Sequence, residues 1–263
     1  MSETTVHAID RGHIEADLNF AVDGSVAATH SDPDPDLEYV DFAVWNLVID
    51  GPEATVLWDT GSHPEAGAGY WPAPLYEAFA HVDADEHDLE ADLDDAGFDL
   101  VDIDAVVQSH LHLDHAGGLY HFEGTDTPVY VHEQEVKFAY YSANTPEGSI
   151  AYVPDDFDRD LDWEVVHDER QLAEGFELLH LPGHTPGLLG ALIETDDGPL
   201  LVAGDECFVE ANYREEQPMG ASLTWDSRAW RESLHRLKDL ERRHGAGVIF
   251  GHEPDQFEGS GHE

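Results

Sequence analysis

Apolar runs of strand length recur along the chain, and residues that favour turns separate them. The segment FAVWNLVID-GPE-ATVLWDTG, residues 42–61, predicts two strands joined by a Gly-Pro turn, and therefore a hairpin. Further apolar runs predict strands at VDIDAVVQSH (101–110), TPVYVH (127–132), FELLHLPGH (176–184), LLGALIETDDGPLLVAGD (188–205) and AGVIFGH (246–252). The fourth of these runs holds two strands joined by an Asp-Asp-Gly turn.

Three segments have the apolar spacing of helices instead. Residues 86–97 place Leu89 and Leu93 on one face and end at a glycine, and residues 133–143 predict a second helix. The clearest helix is SRAWRESLHRLKDLERRHG, residues 227–245, where basic residues and a capping glycine follow the apolar stripe. That stripe consists of Trp230, Leu234, Leu237 and Leu240.

The order of these elements predicts the fold class. Strands dominate the first half and then alternate with helices, which indicates an α/β layered domain whose helices cover its sheets. We expect a single domain over residues 1–263, a length sufficient to bury a large core. The proline- and aspartate-rich residues 31–41 predict a surface loop. Residues 63–82, with three prolines among aromatic residues, predict a lid or a crossing loop.

Composition changes this picture in one respect, the charge. The chain has 58 acidic against 11 basic residues, and the acids are spread over ordinary core patterns, with 41% hydrophobic residues. Salt screens such self-repulsion, so we interpret the chain as a globular protein of a high-salt, halophilic cytoplasm. A cation-buffering or strongly acidic interaction surface is the alternative. Nucleic acid is excluded as a partner because phosphate contacts need Lys and Arg.

Other global features narrow the class of protein further. Cys207 is the sole cysteine, so an intrachain disulfide cannot form. The first twenty residues lack the basic and apolar regions of a signal peptide, and no apolar run is long enough to cross a membrane. We therefore expect a cytoplasmic protein without a membrane partner.

Residues that bind metals follow the ends of five predicted strands. In open α/β sheets, ligands bind outside the carboxyl ends of the strands, so these side chains are expected to converge on one site. They are Asp59 in TVLWDTG, His110 in AVVQSH, His184 in LLHLPGH, Asp205 in PLLVAGD and His252 in GVIFGH. Imidazole and carboxylate groups suit zinc and similar divalent ions.

The segment QSHLHLDHAGGL, residues 108–119, is the densest source of such ligands. A catalytic metal ion needs only about three protein ligands besides water. The chain offers seven candidates, a surplus that favours two ions sharing a bridging carboxylate. They are His110, His112, Asp114, His115, His184, Asp205 and His252. Gly117 and Gly118 allow the chain to turn away closely behind the ligands.

The H-x-H-x-D-H spacing of HLHLDH resembles that of the metallo-β-lactamase superfamily. DTG, PGHTPG, AGD and the final GH follow in the superfamily's order, so the resemblance runs from about residue 38 to residue 255. Within the superfamily, VLWDTGSHP, SHLHLDHAGGL, LPGHTPG and IFGHE are most similar to the N-acyl-homoserine lactonases, the quorum-quenching branch.

This resemblance implies both a fold and a site. The fold would be an αββα sandwich, two mixed β-sheets flanked by helices, with a dinuclear site for two divalent ions, zinc by analogy, between the sheets. His110, His112 and His184 would bind one ion. Asp114, His115 and His252 would bind the second, Asp205 would bridge them, and Asp59 would orient a ligand histidine.

One position departs from the lactonase pattern. Those enzymes carry a tyrosine three residues after the bridging aspartate, where it contacts the substrate carbonyl, and this chain has Phe208 there. Tyr213 lies nearby but out of register. We take both as candidates for the substrate pocket. The aromatic residues Tyr70, Trp71 and Tyr76 either border the same cleft or pack their own loop down.

The function that these residues predict is a metal-dependent hydrolase that opens a lactone or ester, N-acyl-homoserine lactones first. Two metal ions would hold a hydroxide that attacks the carbonyl, with Asp205 between the ions and Asp114 moving the proton. The expected partner is a small-molecule lactone or ester, and a homodimer is compatible with the sequence.

Two other readings stay open. The first is a thioester hydrolase of the hydroxyacylglutathione hydrolase type, or another hydrolase of the same fold. Against it, the anionic glutathione usually needs Lys or Arg, of which the chain has few. The second is a metal-binding fold without catalysis, disfavoured because a structural zinc site closes with about four ligands.

Overall fold

A computed structural model of the chain describes residues 4–257, so both ends of the predicted domain, residues 1–3 and 258–263, lie outside the described residues. The strands of the described part are β1 Thr5–Asp17, β2 Tyr39–Asp50, β3 Thr55–Trp58, β4 Phe79–His81, β5 Ala105–Val107, β6 Pro128–His132, β7 Asp162–Val166, β8 Arg170–Ala173, β9 Phe176–His180, β10 Leu189–Thr195, β11 Gly198–Gly204 and β12 Gly247–Phe250. The α-helices are α1 Leu18–Ala21, α2 Ala73–Tyr76, α3 Leu89–Asp95, α4 Leu113–Ala116, α5 Glu133–Asn144, α6 Pro154–Phe157, α7 Glu210–Arg214 and α8 Ser227–His244.

These strands form two mixed sheets. The first has the order β4-β1-β2-β3-β5-β6-β7; its β4-to-β3 half is antiparallel and its β3-to-β7 half is parallel. The second has the order β12-β11-β10-β9-β8, in which only β11 and β12 run parallel. The predicted hairpin of residues 42–61 is confirmed by the antiparallel pairing of β2 with β3.

The central strands have continuous apolar sequences because one face packs against the other sheet and the other face packs against helices. In β2, Leu47 and Ile49 join the cluster between the two sheets, whereas Val48 points to the helices on the outer face. The same alternation occurs in β10, where Ala191 and Ile193 face the other sheet and Leu192 faces outward. Burying each of the Leu, Ile and Val side chains contributes about 1.5–3 kcal/mol.

Helices complete the outer layers. On the first sheet, Leu89 and Leu93 of α3 and Ala139 of α5 pack in one apolar cluster with strand residues. On the second sheet, the four predicted stripe residues of α8 are all buried. Asp226 caps the start of α8 by accepting from two backbone N–H groups, and Gly245 ends it in the left-handed region, with φ 68°. The αββα sandwich is therefore confirmed.

The sequence pattern missed the longest strand. β1 carries charged and polar residues along its length, and its pairing with β2 shifts register between Asp10 and His13. One of these polar residues, Arg11, is buried and pairs with Asp92 of α3, a contact distant in sequence. β7 and β8 were also missed. Residues 31–38 form the predicted loop, but Tyr39 already begins β2.

Two further segments differ from prediction. Residues 63–82 contain α2 and β4 besides the expected loop. The run at 101–110 forms a strand only over Ala105–Val107, because Leu100–Asp102 makes a single 3-10 turn. Among the described residues, no helix has both the length and the apolarity that crossing a membrane requires.

Candidate metal centre

The ends of the parallel strands bring the predicted site residues together. Asp59 directly follows β3 and the 110–115 segment follows β5, the parallel neighbour of β3. From the other sheet come His184 after β9, Asp205 directly after β11 and His252 after β12. The site therefore lies at one edge of the sandwich and takes residues from both sheets.

Seven side chains at this edge form three overlapping groups. Within each group the candidate ligand atoms all lie within 4.8 Å of one another. The groups are His110, His112 and His184; His110, His115 and Asp205; and Asp114, His115 and His252. These are the seven residues that the sequence singled out, and the structure brings all of them into one cluster.

In the first group, three imidazole nitrogens point at one another. Nδ1 of His112 lies 3.1 Å from Nε2 of His110 and 3.0 Å from Nε2 of His184. Three nitrogens at these distances cannot all be satisfied by hydrogen bonds among themselves, since neutral imidazole has only one N–H. A cation that accepts their lone pairs resolves the conflict.

The far side of four histidine rings is held by an oxygen atom. A carbonyl or carboxylate oxygen can only accept, so Nδ1 carries the proton and Nε2 presents its lone pair to the cluster. The pairs are His110 with Ser109 Oγ (3.0 Å), His115 with Asp59 Oδ2 (2.9 Å), His184 with the Leu223 carbonyl (2.7 Å) and His252 with the Ala43 carbonyl (2.8 Å). Ser109 Oγ itself donates to Asp59, so it too accepts from its histidine.

Asp205 lies between the histidine groups. Its Oδ1 lies 3.5 Å from His115 Nε2, and its Oδ2 lies 3.2 Å from His252 Nε2 and 3.6 Å from His184 Nε2. Both Oδ1 of Asp205 and Nε2 of His115 are buried without a hydrogen-bond partner. Orphaned buried polar atoms are costly, and nitrogen and oxygen donors together suit a zinc-like divalent ion. The residues therefore fit a metal centre.

Electrostatics favour the neutral form, which metal ligands need, at three of the five histidines. Burial lowers the pKa of His110, His112 and His184, and neighbouring histidines lower it further for His110 and His112. Burial alone would raise the pKa of Asp205, but His252 and His115 hold it well below its usual value. Burial also lowers the pKa of His115 and His252, but Asp205 and Asp114 raise it above the usual value, so a cation that binds these two rings would displace a proton.

Asp59 organises the segment that carries most of the ligands. Its Oδ1 accepts from the Ser109 backbone N–H at 2.7 Å, and its Oδ2 accepts from the Ser109 hydroxyl and from His115 Nδ1. Its backbone has φ 57°, the left-handed region that a non-glycine residue adopts at some energetic cost. Close behind, a Cβ on Gly117 would lie 2.1 Å from the backbone nitrogen of His63, so only glycine fits there.

An apolar cleft of about 300 Å³ opens onto the cluster. Its polar floor is made of His112, Asp114, His184 and Asp205. Its walls are Ile14, Phe20, Trp71, Pro74, Leu75, Ala78, Phe79, Leu113, Ser149, Ile150, Ala151, Phe208, Ser222 and Leu223. Of the loop aromatics considered from sequence, Trp71 lines the cleft, whereas the lining includes neither Tyr70 nor Tyr76.

The two substrate-pocket candidates have different positions. Phe208 lines the cleft, and its ring packs on that of His252 with centroids 4.2 Å apart. Tyr213 does not line the cleft: it is buried in the cluster beside α8, and its hydroxyl donates to Glu241 at 2.8 Å. The prediction that Tyr213 borders the substrate is therefore corrected, since α7 turns its side chain toward α8.

Sequence reasoning missed several residues that support the site. Ser109 and the carbonyls of Ala43 and Leu223 anchor ligand rings, and Glu135 on α5 bonds to the backbone between two ligands. Backbone carbonyls carry no sequence signal. Ser109 stands next to a motif histidine, which is the one local signal that could have identified it.

An αββα sandwich with a histidine and aspartate cluster at the ends of its strands defines a class of metal-dependent hydrolase. The sequence profile described as the metallo-beta-lactamase superfamily matches residues 39–252. The chain belongs to this superfamily.

Individual relatives and solved structures indicate which members of the superfamily the chain is similar to. The chain is 31% identical to N-acyl homoserine lactonase AiiB of Agrobacterium fabrum over 95% of its own length and 93% of the relative's. It is 30% identical to a Bacillus N-acyl homoserine lactonase over 92% and 95% of the two chains. An N-acyl homoserine lactone hydrolase structure, with the product N-hexanoyl-L-homoserine at its catalytic metal centre, superposes with a TM-score of 0.83 at 23% identity, covering 97% and 96% of the two chains.

Proposed function

We propose that the protein is a metal-dependent lactonase that opens the ring of N-acyl homoserine lactones. The observation that carries the proposal is the apolar cleft, whose floor is the histidine and aspartate cluster. A polar, hydrolysable ring reaching this floor would leave its acyl chain against aliphatic and aromatic side chains. The curated relatives named above, which match over nearly their whole length, are lactonases of this kind.

In this proposal seven side chains hold two divalent ions, zinc by the chemistry of the donors. His110, His112 and His184 hold one ion, and Asp114, His115 and His252 hold the second. Asp205 contacts both, in keeping with its position between the histidine groups. Ions bound here would supply Lewis acidity, which activates water as a nucleophile at neutral pH and polarises an ester carbonyl.

The residues of the chain perform the remaining steps. Asp205 lies between His115, His184 and His252 and keeps negative charge at the centre of the cluster. Asp114 is the ligand candidate that also faces the cleft as a partly exposed carboxylate, with Oδ2 3.6 Å from Nε2 of both His115 and His252. Its carboxylate takes the proton of the attacking water and returns it to the departing ring oxygen.

The cleft lining also argues against the thioester alternative. Glutathione carries carboxylates that would need basic partners. Among the described residues, the lining of the cleft contains no Lys or Arg. An uncharged acyl homoserine lactone needs no basic partner, and the apolar walls favour its binding.

The test is a substrate panel on purified, zinc-loaded protein at high salt. Acyl homoserine lactones, simple γ-lactones, glutathione thioesters and β-lactams are compared by kcat/KM, and metal content is counted before and after chelation. We expect acyl homoserine lactones to be the best substrates and chelation to abolish turnover. Thioesters exceeding lactones would favour the alternative hydrolase, and fewer than two metal ions per chain without any hydrolysis would favour a non-catalytic metal-binding fold.

The charge of the chain supports a further part of the proposal, action in a high-salt cytoplasm. A net charge of −47 repels itself in dilute buffer, and the Debye length falls from about 10 Å at 0.1 M salt to about 3 Å at 1 M. Thermal unfolding followed in increasing KCl should therefore show a rising melting temperature. A melting temperature independent of salt would instead favour the alternative that the acidic surface serves an interaction.

A further inference from the structure

Glu135, in the first turn of α5, is completely buried and lies outside the ligand cluster. Its Oε1 accepts from the Leu111 backbone N–H at 3.0 Å and from the Tyr152 hydroxyl at 2.7 Å. Its Oε2 accepts from the Thr185 hydroxyl at 2.6 Å, and the backbone N–H of Gly187 also donates to this carboxyl group. One side chain thus binds three other segments of the chain.

Four donors surround this one carboxyl group. Each oxygen of a carboxylate offers about two acceptor sites, and donors from four groups fill them, which favours the ionised form. Burial raises the pKa of Glu135, but hydrogen bonds from Thr185, Leu111 and Tyr152 oppose that rise. A buried carboxylate is tolerated when its lone pairs are satisfied in this way.

The partners of Glu135 belong to the segments that carry the first histidine group. Leu111 stands between His110 and His112 in the chain, and Thr185 directly follows His184. The Tyr152 ring packs edge-on against the His112 ring, with centroids 4.6 Å apart. His112 itself, unlike the four anchored histidines, has no hydrogen bond among the described contacts that holds the far side of its ring.

From these contacts we infer that Glu135 is a positioning residue, which holds the 110–112 and 184–187 segments at the separation that lets His110, His112 and His184 share one metal ion. This rests on the metal centre of the proposed function, because the three histidines must bind metal for their spacing to matter. Glu135 touches neither metal nor substrate and acts through Leu111, Thr185 and Tyr152.

The test compares Glu135→Gln with Asp156→Asn in the full-length protein, stripped of metal and then titrated with Zn²⁺ or Co²⁺ against a chelator. Asp156 is the matched control: it is a buried carboxyl that accepts from the Tyr70 hydroxyl at 2.6 Å and bonds to neither ligand segment. Both changes keep the shape of a buried carboxyl group. Burial raises the pKa of Asp156 to about 7, so the titrations are run above that pH, where each change removes one buried charge. Glu135→Gln replaces one acceptor oxygen by an N–H₂ group, so the side chain can no longer accept from all four donors, whereas Asp156→Asn leaves this link intact.

We expect Glu135→Gln to weaken affinity for one of the two ions about tenfold, the lower end of the 10–100-fold range known for residues that orient ligands. The visible spectrum of the cobalt-loaded variant should change at equal occupancy, because the geometry of the three nitrogens changes. Asp156→Asn should match the wild type in both measurements. Equal affinity and an equal spectrum for Glu135→Gln, or an equal loss in Asp156→Asn, would overturn the inference.

If Glu135→Gln does not fold, Thr185→Val and Tyr152→Phe carry the test, since each removes one donor and leaves the carboxylate. Each should alter the cobalt spectrum and lower affinity by a smaller factor. Wild-type spectra in both would refute the positioning role. Lactone turnover by the wild type is read separately, so a protein that binds two metals but opens no lactone would refute the proposed function and leave this inference standing.

Discussion

The floor and the walls of the cleft are built by different kinds of contact. In the cluster that forms the floor and extends behind it, four of the five histidines are anchored on the far side by an oxygen atom, and the single residue Asp59 bonds to both Ser109 and His115. Most of the walls come from residues 71–79, 149–151 and 222–223 and make mostly apolar contact, with Ile150 as much as 53% exposed.

Because of this difference, we expect the floor to determine the chemistry and the walls to determine the substrate selectivity. A floor whose hydrogen bonds are directional responds sharply to a single substitution, since each removed partner leaves a buried polar group unsatisfied. An apolar wall responds gradually, because burial scales with area and neighbouring side chains share the loss. Substitutions ordered from floor to wall should therefore produce progressively smaller effects.

Asp205→Ala on the floor should have the largest effect. It removes the carboxylate that lies between His115, His184 and His252, leaving buried groups without their compensating charge. Breaking such a buried pair costs about 3–5 kcal/mol, equivalent to about 10²–10⁴-fold in rate. We expect kcat/KM for an acyl homoserine lactone to fall by that range and metal content to drop below two ions per chain. Survival of activity would contradict its position between the ions.

Asp59→Asn should have the next largest effect. The amide has one acceptor oxygen and no negative charge. It can therefore still accept from Ser109 or from His115 Nδ1, but it cannot replace all the hydrogen bonds of the carboxylate. Loss of a partner that orients a ligand typically costs about 10–100-fold in metal affinity or activity. Chelator competition and kcat/KM measure this, with the exposed Asp126→Asn as the control. An Asp59→Asn protein as active as that control would show that Asp59 serves only the strained turn.

The floor could be predicted from sequence far better than its supports. The seven ligand candidates are dense in chemistry and stand at strand ends, so an apolar run followed by His or Asp identifies them. Glu135 could not be identified from sequence because its partners lie in segments distant along the chain. The position of Tyr213 was predicted wrongly because the register of a short helix decides which way a side chain points. β1 escaped because it carries charged residues along its length, and its buried Arg11 is paired with Asp92, which is distant in sequence.

The walls were less predictable still. Trp71 was a candidate from sequence, together with Tyr70 and Tyr76, but nothing local separates the residue that lines the cleft from the two that bond elsewhere. Apolar residues are common on every face of the core. Only the tertiary packing beside the cluster decides which of them line the cleft.

On the wall, Leu75→Ala should have a moderate effect that depends on the substrate. Leu75 is half-buried and lines the cleft, so truncation removes apolar area worth about 0.8 kcal/mol for each methylene that the acyl chain had covered. We expect kcat/KM for a long-chain acyl homoserine lactone to fall about tenfold, mainly through KM. A short-chain substrate serves as the internal control. Equal losses for both chain lengths would show that Leu75 supports the floor instead of contacting the acyl chain.

Phe208→Tyr tests the boundary between floor and wall, and its effect should be the smallest. Phe208 packs on the His252 ring and also lines the cleft, so a hydroxyl at the edge of its ring can reach a substrate carbonyl. One neutral hydrogen bond contributes about 0.5–1.5 kcal/mol, so we expect kcat/KM for lactones to rise about 2–10-fold. The melting temperature is measured in parallel, because a hydroxyl buried without a partner would lower stability. A lower melting temperature with no gain in rate would mean that the ring edge faces the core cluster around Phe42. The role of Phe208 would then be to hold the His252 ring in place and not to contact the substrate.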